Sequence, residues 1–307
     1  MFFSSIYVDN LNLAVNKIKR IPKKIEREIN RIPLFEAKQK TIYQASLVNY
    51  APFLPKINAE DQTIVNCIKN TGIYVFSIEK LQLHRTKAML KESIKPTKIL
   101  QKTKVKNDLH GCAVGLTKTQ LIKYPDIFLW GLEPRLLNII ENYIGLPVIY
   151  QGLSMRRDLP DGKQVGVRKW HLDWEDRSMI KVIIYLNDVD INGGPYEYIP
   201  RDITAQAIKK LRYYNFDFLS DKTMEQAVPE SEWKVCIGKA GTMIITDTAN
   251  VLHRAKPPVN QERFSITFFY TSNQPYADWK SPEIAPEEWN KINKHIDSYQ
   301  RKFLVQK

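Results

Sequence analysis

From Pro147 onward the sequence is a succession of short runs rich in β-branched and aromatic residues. They read PVIYQGLSMRR, VGVRKWHLD, SMIKVIIYLND, PYEYIP, GTMIITDT and RFSITFFYTS. Turn signals separate them, among them LPDG (Leu159 to Gly162), NGGP (Asn192 to Pro195) and KAGT (Lys239 to Thr242). Many short strands punctuated in this way predict a β-sandwich or barrel. The flanks read differently. Asn10 to Arg31 has apolar residues at helical spacing, interrupted by Pro22, and Asp61 to Asn70 predicts a short helix stopped near Gly72. GIYVFSIEKL (Gly72 to Leu81) is strand-like. EPRLLNIIENYIG (Glu133 to Gly145) is an amphipathic helix with a glycine stop. The expected fold is mainly β with helical additions, an α+β chain. Residues 1–71 form a helical and irregular extension, 72–275 the β-core with a helical insert at 204–232, and 276–307 a helical tail.

Composition narrows the setting. With 307 residues and 43% hydrophobic content, the chain can bury a substantial core. It has no run of 18 or more apolar residues, so no membrane span is expected. MFFSSIYVDNLNLAV lacks a basic n-region and a small-residue cleavage site, so no secretory leader is expected. Cys67, Cys112 and Cys236 are odd in number and far apart, which suits small core residues in a reducing cytoplasm. The formal charge of +13 admits an anionic partner, yet KIKRIPKKIEREINR (Lys17 to Arg31) and KVKNDLH (Lys104 to His110) mix lysines with isoleucines and acids. A solvated face is the simpler reading.

The chemistry centres on KWHLDWED. In a strand, residues i and i+2 project to one face, so His171 and Asp173 can converge on one ion. His253, in TDTANVLHRAKPP, is the candidate third ligand. Two histidines and one carboxylate leave open positions on the metal, the arrangement of non-haem Fe(II) oxygenases. Trp170, Leu172 and Trp174 then turn to the packing side. His84, His110 and His295 lie in lysine-rich or helical segments and read as surface or core residues. Arg263 falls in the apolar run RFSITFFYTS, where an arginine needs a partner. That partner is either a protein acid such as Glu262 or Asp247, or a dicarboxylate from solution held bidentately by the guanidinium. Ser265, at i+2, faces the same way.

Taken together, His171-x-Asp173, His253 and Arg263-x-Ser265 resemble the iron(II)/2-oxoglutarate-dependent dioxygenases. WHLD, NGGPYEYIP (Asn192 to Pro200), GTMIITDTANVLHR (Gly241 to Arg254) and the upstream LLNIIENYIGLPVIY are similar to the phytanoyl-CoA dioxygenase-like branch. The resemblance covers roughly Gly72 to Ser272. It implies a double-stranded β-helix, a jelly-roll or cupin-like core, as a single catalytic domain. It implies Fe(II) on His171, Asp173 and His253, and 2-oxoglutarate on Arg263 with Ser265 assisting and Tyr185 facing the co-substrate. The implied reaction consumes O2, converts 2-oxoglutarate to succinate and hydroxylates a small organic substrate, with ascorbate as a reductant. Asp173 stands where halogenating relatives carry glycine or alanine, which points to hydroxylation. The family's glycine-serine-histidine turn is replaced by Arg201-Asp202-Ile203.

Three alternatives remain at this level. An AlkB-type nucleic-acid demethylase would carry a second arginine where this chain has Phe269, so nucleic acid is not the expected partner. A jelly-roll binding protein without catalysis, or a cupin with another metal, would show no 2-oxoglutarate dependence. Arg156, Arg157, Arg168, Arg177, Arg201 and Arg254 lie near the motifs, so a small anionic substrate fits if several of them line the mouth.

Overall fold

The computed structural model describes residues 33–104, 112–213, 217–276 and 286–304. The helix expected over Asn10 to Arg31, and His110, lie outside the described residues. The chain divides into two compact units, Met1–Phe53 and Leu54–Lys307. In the first, a helix runs over Pro33–Tyr50 and a 3-10 turn over Ala51–Phe53.

The second unit carries all nine described strands: β1 (Ile73–Ser77), β2 (Ala113–Gly115), β3 (Val148–Asp158), β4 (Ile180–Tyr185), β5 (Tyr196–Tyr198), β6 (Lys234–Cys236), β7 (Thr242–Asp247), β8 (His253–Ala255) and β9 (Arg263–Ser272). They form two antiparallel sheets, one ordered β1-β7-β4-β9-β3-β2 and one ordered β6-β5-β8. Helices precede β1, separate β1 from β3, and fill the connection between β5 and β6. Among the described residues no helix is long and apolar enough to cross a membrane.

Period-two alternation in the large sheet separates core from site. Ile180, Val182 and Ile184 of β4 and Phe264, Ile266, Phe268 and Tyr270 of β9 are buried. Phe268 meets the Trp130 ring at 4.8 Å, and the Tyr270 hydroxyl donates to the Gly131 carbonyl at 2.8 Å, so this face packs on the helical layer. The intervening residues turn to the opposite face. Registers Lys181↔Phe269, Ile183↔Thr267 and Tyr185↔Ser265 align β4 with β9, and Ser154↔Thr267, Arg156↔Ser265 and Asp158↔Arg263 align β3 with β9. One sheet face is thus greasy and the other carries the polar side chains.

The helices follow local rules. In Ala59–Thr71, Asn58 caps the start by accepting from the Asp61 N–H at 2.8 Å. Gly72 ends it in the left-handed region at φ +86°, where a side chain would be strained and its Cβ would lie 2.2 Å from Val251 Cγ1. The helix Pro134–Ile144 ends at Gly145 in the same way. Thr86–Lys102 was not assigned from sequence. Pro96 sits inside it, and proline within a helix removes a hydrogen bond and ordinarily argues for a break. The connection after β5 is helical from Arg201, with Arg201–Leu211 and Asp221–Glu225 followed by a 3-10 turn at Glu230–Glu232.

VGVRKWHLD departs from its expected strand. Gly166–Arg168 is a 3-10 turn, and only single bridges follow, Trp170 to Leu219 and His171 to His253. Arg168 explains the turn. Its fully buried guanidinium binds Asp161 at 2.5 Å and donates to the carbonyls of Cys112 and Leu159 at 2.6 and 2.9 Å, pulling the chain inward before the metal motif.

Candidate metal centre

The segment 170–173 is short of a full strand, yet its alternation holds. Trp170 and Leu172 enter a buried cluster with Leu252 and Trp233, while His171 faces the other way. His171 and His253 exchange backbone hydrogen bonds, both at 3.0 Å, and their rings lie 4.3 Å apart. Asp173 is held by its N–H to the Thr248 carbonyl at 3.0 Å. Trp174 is half-buried.

Among the described residues, one group of histidine, cysteine and carboxylate side chains converges as a metal site would require: His171, Asp173 and His253, with ligand atoms within 4.8 Å of one another. His171 Nδ1 lies 2.9 Å from the Lys169 carbonyl and His253 Nδ1 lies 3.0 Å from the Val251 carbonyl. A carbonyl only accepts, so each Nδ1 carries the proton and each Nε2 presents its lone pair. The two Nε2 atoms both stand 3.9 Å from Asp173 oxygens, too far for a hydrogen bond and suited to a shared ion. Electrostatics agree. Burial pushes the His171 pKa down against the pull of Asp173, and burial together with His171 holds His253 well below the usual imidazole range. Burial alone would raise Asp173, but Lys181 and the two histidines outweigh it and hold the carboxyl well below its usual range. Two neutral imidazoles and one carboxylate fit a divalent first-row metal with open positions.

A cavity of about 120 Å³ joins the two histidines of this triad to the polar face of the large sheet, its lining including His171, His253, Lys181, Arg156, Arg263 and Ser265. Arg263 does have a protein acid, though neither of the two considered. Its Nη2 donates to Asp158 at 2.7 Å and its Nη1 to the Gly194 carbonyl in the NGGP turn. Glu262 is taken by Arg157, and Asp247 by Tyr143 and Arg201. Asp158 also pairs with Arg156 and stands 3.8 Å from Arg168, so several guanidinium groups share one carboxylate and the cluster keeps a positive excess. The buried Nε of Arg263 has no hydrogen-bond partner. An orphaned donor beside Ser265, in a cavity with excess positive charge, fits a carboxylate ligand.

Tyr185 lines the same cavity, but its hydroxyl is committed to the fold: it donates to the Cys236 carbonyl at 2.9 Å and accepts from the Tyr196 N–H at 2.8 Å. A larger cavity of about 390 Å³ lies by Ser77, Leu90, Ser93 and Thr97 and touches the site residues only at Tyr185. Of the arginines flagged by proximity in sequence, Arg156 reaches the metal cavity. Arg254 points behind it, between the Trp170 and Trp233 rings at 4.7 and 5.3 Å, paired with Glu197 at 2.5 Å and with Asp221.

Sequence reasoning missed Asp158 and Lys181. The second had a signal: IKVIIY is an apolar strand, and a lysine inside one is a buried-cation warning.

The Asp158 carboxyl is pushed down to about 2: burial would raise it, and Arg156 and Arg263 more than reverse that. The folded pKa lies below the unfolded value of about 4, so its stabilisation is full above that value and is lost as pH falls through about 2. It amounts to about 2 kcal/mol. Urea unfolding of wild type and Asp158→Asn should therefore show a gap near neutral pH that narrows as pH approaches 2; a pH-independent gap would refute this ionisation.

No family model and no curated protein matches the sequence. The chain is similar to several solved structures at low identity. HygX from Streptomyces hygroscopicus, with nickel and 2-oxoglutarate bound, is 12% identical over 71% of this chain and 88% of its own, with a TM-score of 0.48. The non-heme alpha ketoglutarate dependent epimerase SnoN, from nogalamycin biosynthesis, is 12% identical over 74% and 90%, with a TM-score of 0.46. The carbocyclase SnoK, from the same biosynthesis, is 14% identical over 72% and 86%, with a TM-score of 0.47. Likenesses of this order transfer no residue role from one chain to another.

Proposed function

We propose that the chain is an Fe(II)- and 2-oxoglutarate-dependent dioxygenase that hydroxylates a small organic substrate. In this reading its two sheets form a double-stranded β-helix, and the motif order supports the phytanoyl-CoA dioxygenase-like branch. The observation that carries it is the convergence of His171, Asp173 and His253, with both Nε2 atoms near the carboxylate and both histidines lining one cavity with Arg263 and Ser265.

His171, Asp173 and His253 would hold the metal, which would supply, with O2 as oxidant, the redox chemistry of the reaction. Arg263 binds the distal carboxylate of 2-oxoglutarate, using the donor capacity that Asp158 and Gly194 leave over. Ser265 donates to the same carboxylate, and the Tyr185 ring walls the co-substrate pocket. The buried strands around the cavity exclude water, which strengthens each charge contact. Iron with bound 2-oxoglutarate supplies the oxidation of a C–H bond, coupled to formation of succinate and carbon dioxide.

The test is succinate release from 2-oxoglutarate with Fe(II) and ascorbate across a panel of small substrates. Release should require Fe(II) and stop when a chelator removes it. Release by wild type no greater than by His171→Ala, across the panel, would defeat the proposal.

A further inference from the structure

The cavity holds a cation that the roles above leave unused. Lys181 Nζ lies 2.5 Å from Asp173 Oδ2, and the Lys181 side chain is 16% exposed. It lines the cavity with His171 and His253, on the sheet face opposite to Ile180 and Val182, and at this exposure the ammonium reaches little water. Phe269, its register partner on β9, places an aromatic ring 5.8 Å from the ammonium. Among the described residues, Asp173 is the one acid within ion-pair distance of Lys181.

A divalent metal on the triad claims that same carboxylate. The metal draws on the charge of Asp173, so the ammonium keeps a weakened counter-ion and stands beside a like charge, a costly state for a group this enclosed. The other basic groups lining the cavity, Arg156 and Arg263, offer no relief, since both are cations sharing Asp158. Glu175 also interacts with Lys181 and offsets part of this charge, yet metal alone still adds two positive charges to a site that already holds the ammonium. An anion that enters with it restores the balance, and a carboxylate is the group that can accept from a displaced ammonium.

We propose that Lys181 makes metal and a carboxylate bind as a pair: it disfavours metal alone and receives the carboxylate that arrives with it. This rests on the metal-site reading above. The carboxylate is either that of 2-oxoglutarate or an acid group on the substrate. Coupling of this kind is reciprocal, so it appears in metal affinity without any turnover.

The experiment is Mn(II) binding to the full chain, followed by the loss of free-ion EPR signal, for wild type, Lys181→Met and Lys181→Arg. Each is measured alone, with 2-oxoglutarate, and with 2-oxoglutarate plus acetate. Methionine keeps the packed stem and removes the charge; arginine keeps the charge. Without 2-oxoglutarate, Lys181→Met should bind Mn(II) about tenfold more tightly than wild type or more, and Lys181→Arg should follow wild type. An anion should then tighten Mn(II) binding in wild type by about tenfold or more and do so much less in Lys181→Met. If 2-oxoglutarate alone produces that difference, the lysine takes the co-substrate; if acetate must be added, it takes a substrate acid. Equal Mn(II) affinity in wild type and Lys181→Met, or weaker binding by Lys181→Met, overturns the proposal while leaving the metal site standing. Failure of all three chains to bind Mn(II) overturns both.

Discussion

Arg263→Ala will raise the 2-oxoglutarate concentration needed for half-maximal turnover by about two to three and a half orders of magnitude, the equivalent of losing one partner of a buried charge pair at about 3–5 kcal/mol. Arg263 is 4% exposed, and its Nε is without a partner in the fold. Removing it leaves the Gly194 carbonyl without this donor and Asp158 with one close arginine fewer. The substitution also carries a folding cost, so Arg263→Lys is the companion variant: it keeps the charge and loses the planar fork. If Arg263 binds the co-substrate, both variants raise the KM for 2-oxoglutarate while Mn(II) affinity measured without 2-oxoglutarate stays near wild type. A merely structural role would lower metal affinity and stability together. Unchanged 2-oxoglutarate affinity in Arg263→Ala would remove the residue from its role.

His171→Ala and His253→Ala should each weaken metal binding by more than about 100-fold, since loss of a mere supporting partner of a metal ligand already costs about 10–100-fold. Each deletes one of two imidazoles whose tautomer a backbone carbonyl fixes. Asparagine and glutamine substitutions keep much of the side-chain volume and separate ligation from packing. Calorimetric titration with Mn(II) or Co(II) reads the loss directly, and a histidine variant that bound metal as tightly as wild type would break the triad assignment. Succinate formation should fall in parallel.

What was legible in the sequence follows from how local each signal is. The strands that became β3, β4, β7 and β9 announced themselves because their β-branched and aromatic runs are long and bounded by turns. The helix Pro134–Ile144 was readable from its apolar periodicity and terminal glycine. The three residues that converge as a metal cluster were readable because the strand spacing of His171 and Asp173 is followed, in order, by His253, Arg263 and Ser265. The segment carrying His171 was not readable as irregular, since Arg168 shapes it through carbonyls at Cys112 and Leu159, and that pairing leaves no pattern in the sequence. Asp158 escaped for the same reason. It ends β3, and only the antiparallel register Asp158↔Arg263 brings it to the arginine. Lys181 was visible as an anomaly, but its partner became known only when the fold placed Asp173 over it.

The insert is more than an appendage to this arrangement. Leu219 exchanges both backbone hydrogen bonds with Trp170, at 3.0 and 2.8 Å, and Asp221 binds both the Trp170 indole and Arg254. Phe218, 47% exposed, sets its ring 5.1 Å from that of His171. The residue whose ring meets His171 and the residues that brace the ligand-bearing chain therefore lie within four positions of one short stretch, 218–221. For anyone re-engineering selectivity, that stretch tolerates a change of letter but not a change of length. Swapping Phe218 alters what flanks the His171 ring, whereas adding or deleting one residue between 217 and 221 would slide the brace out of register and loosen the first histidine with it.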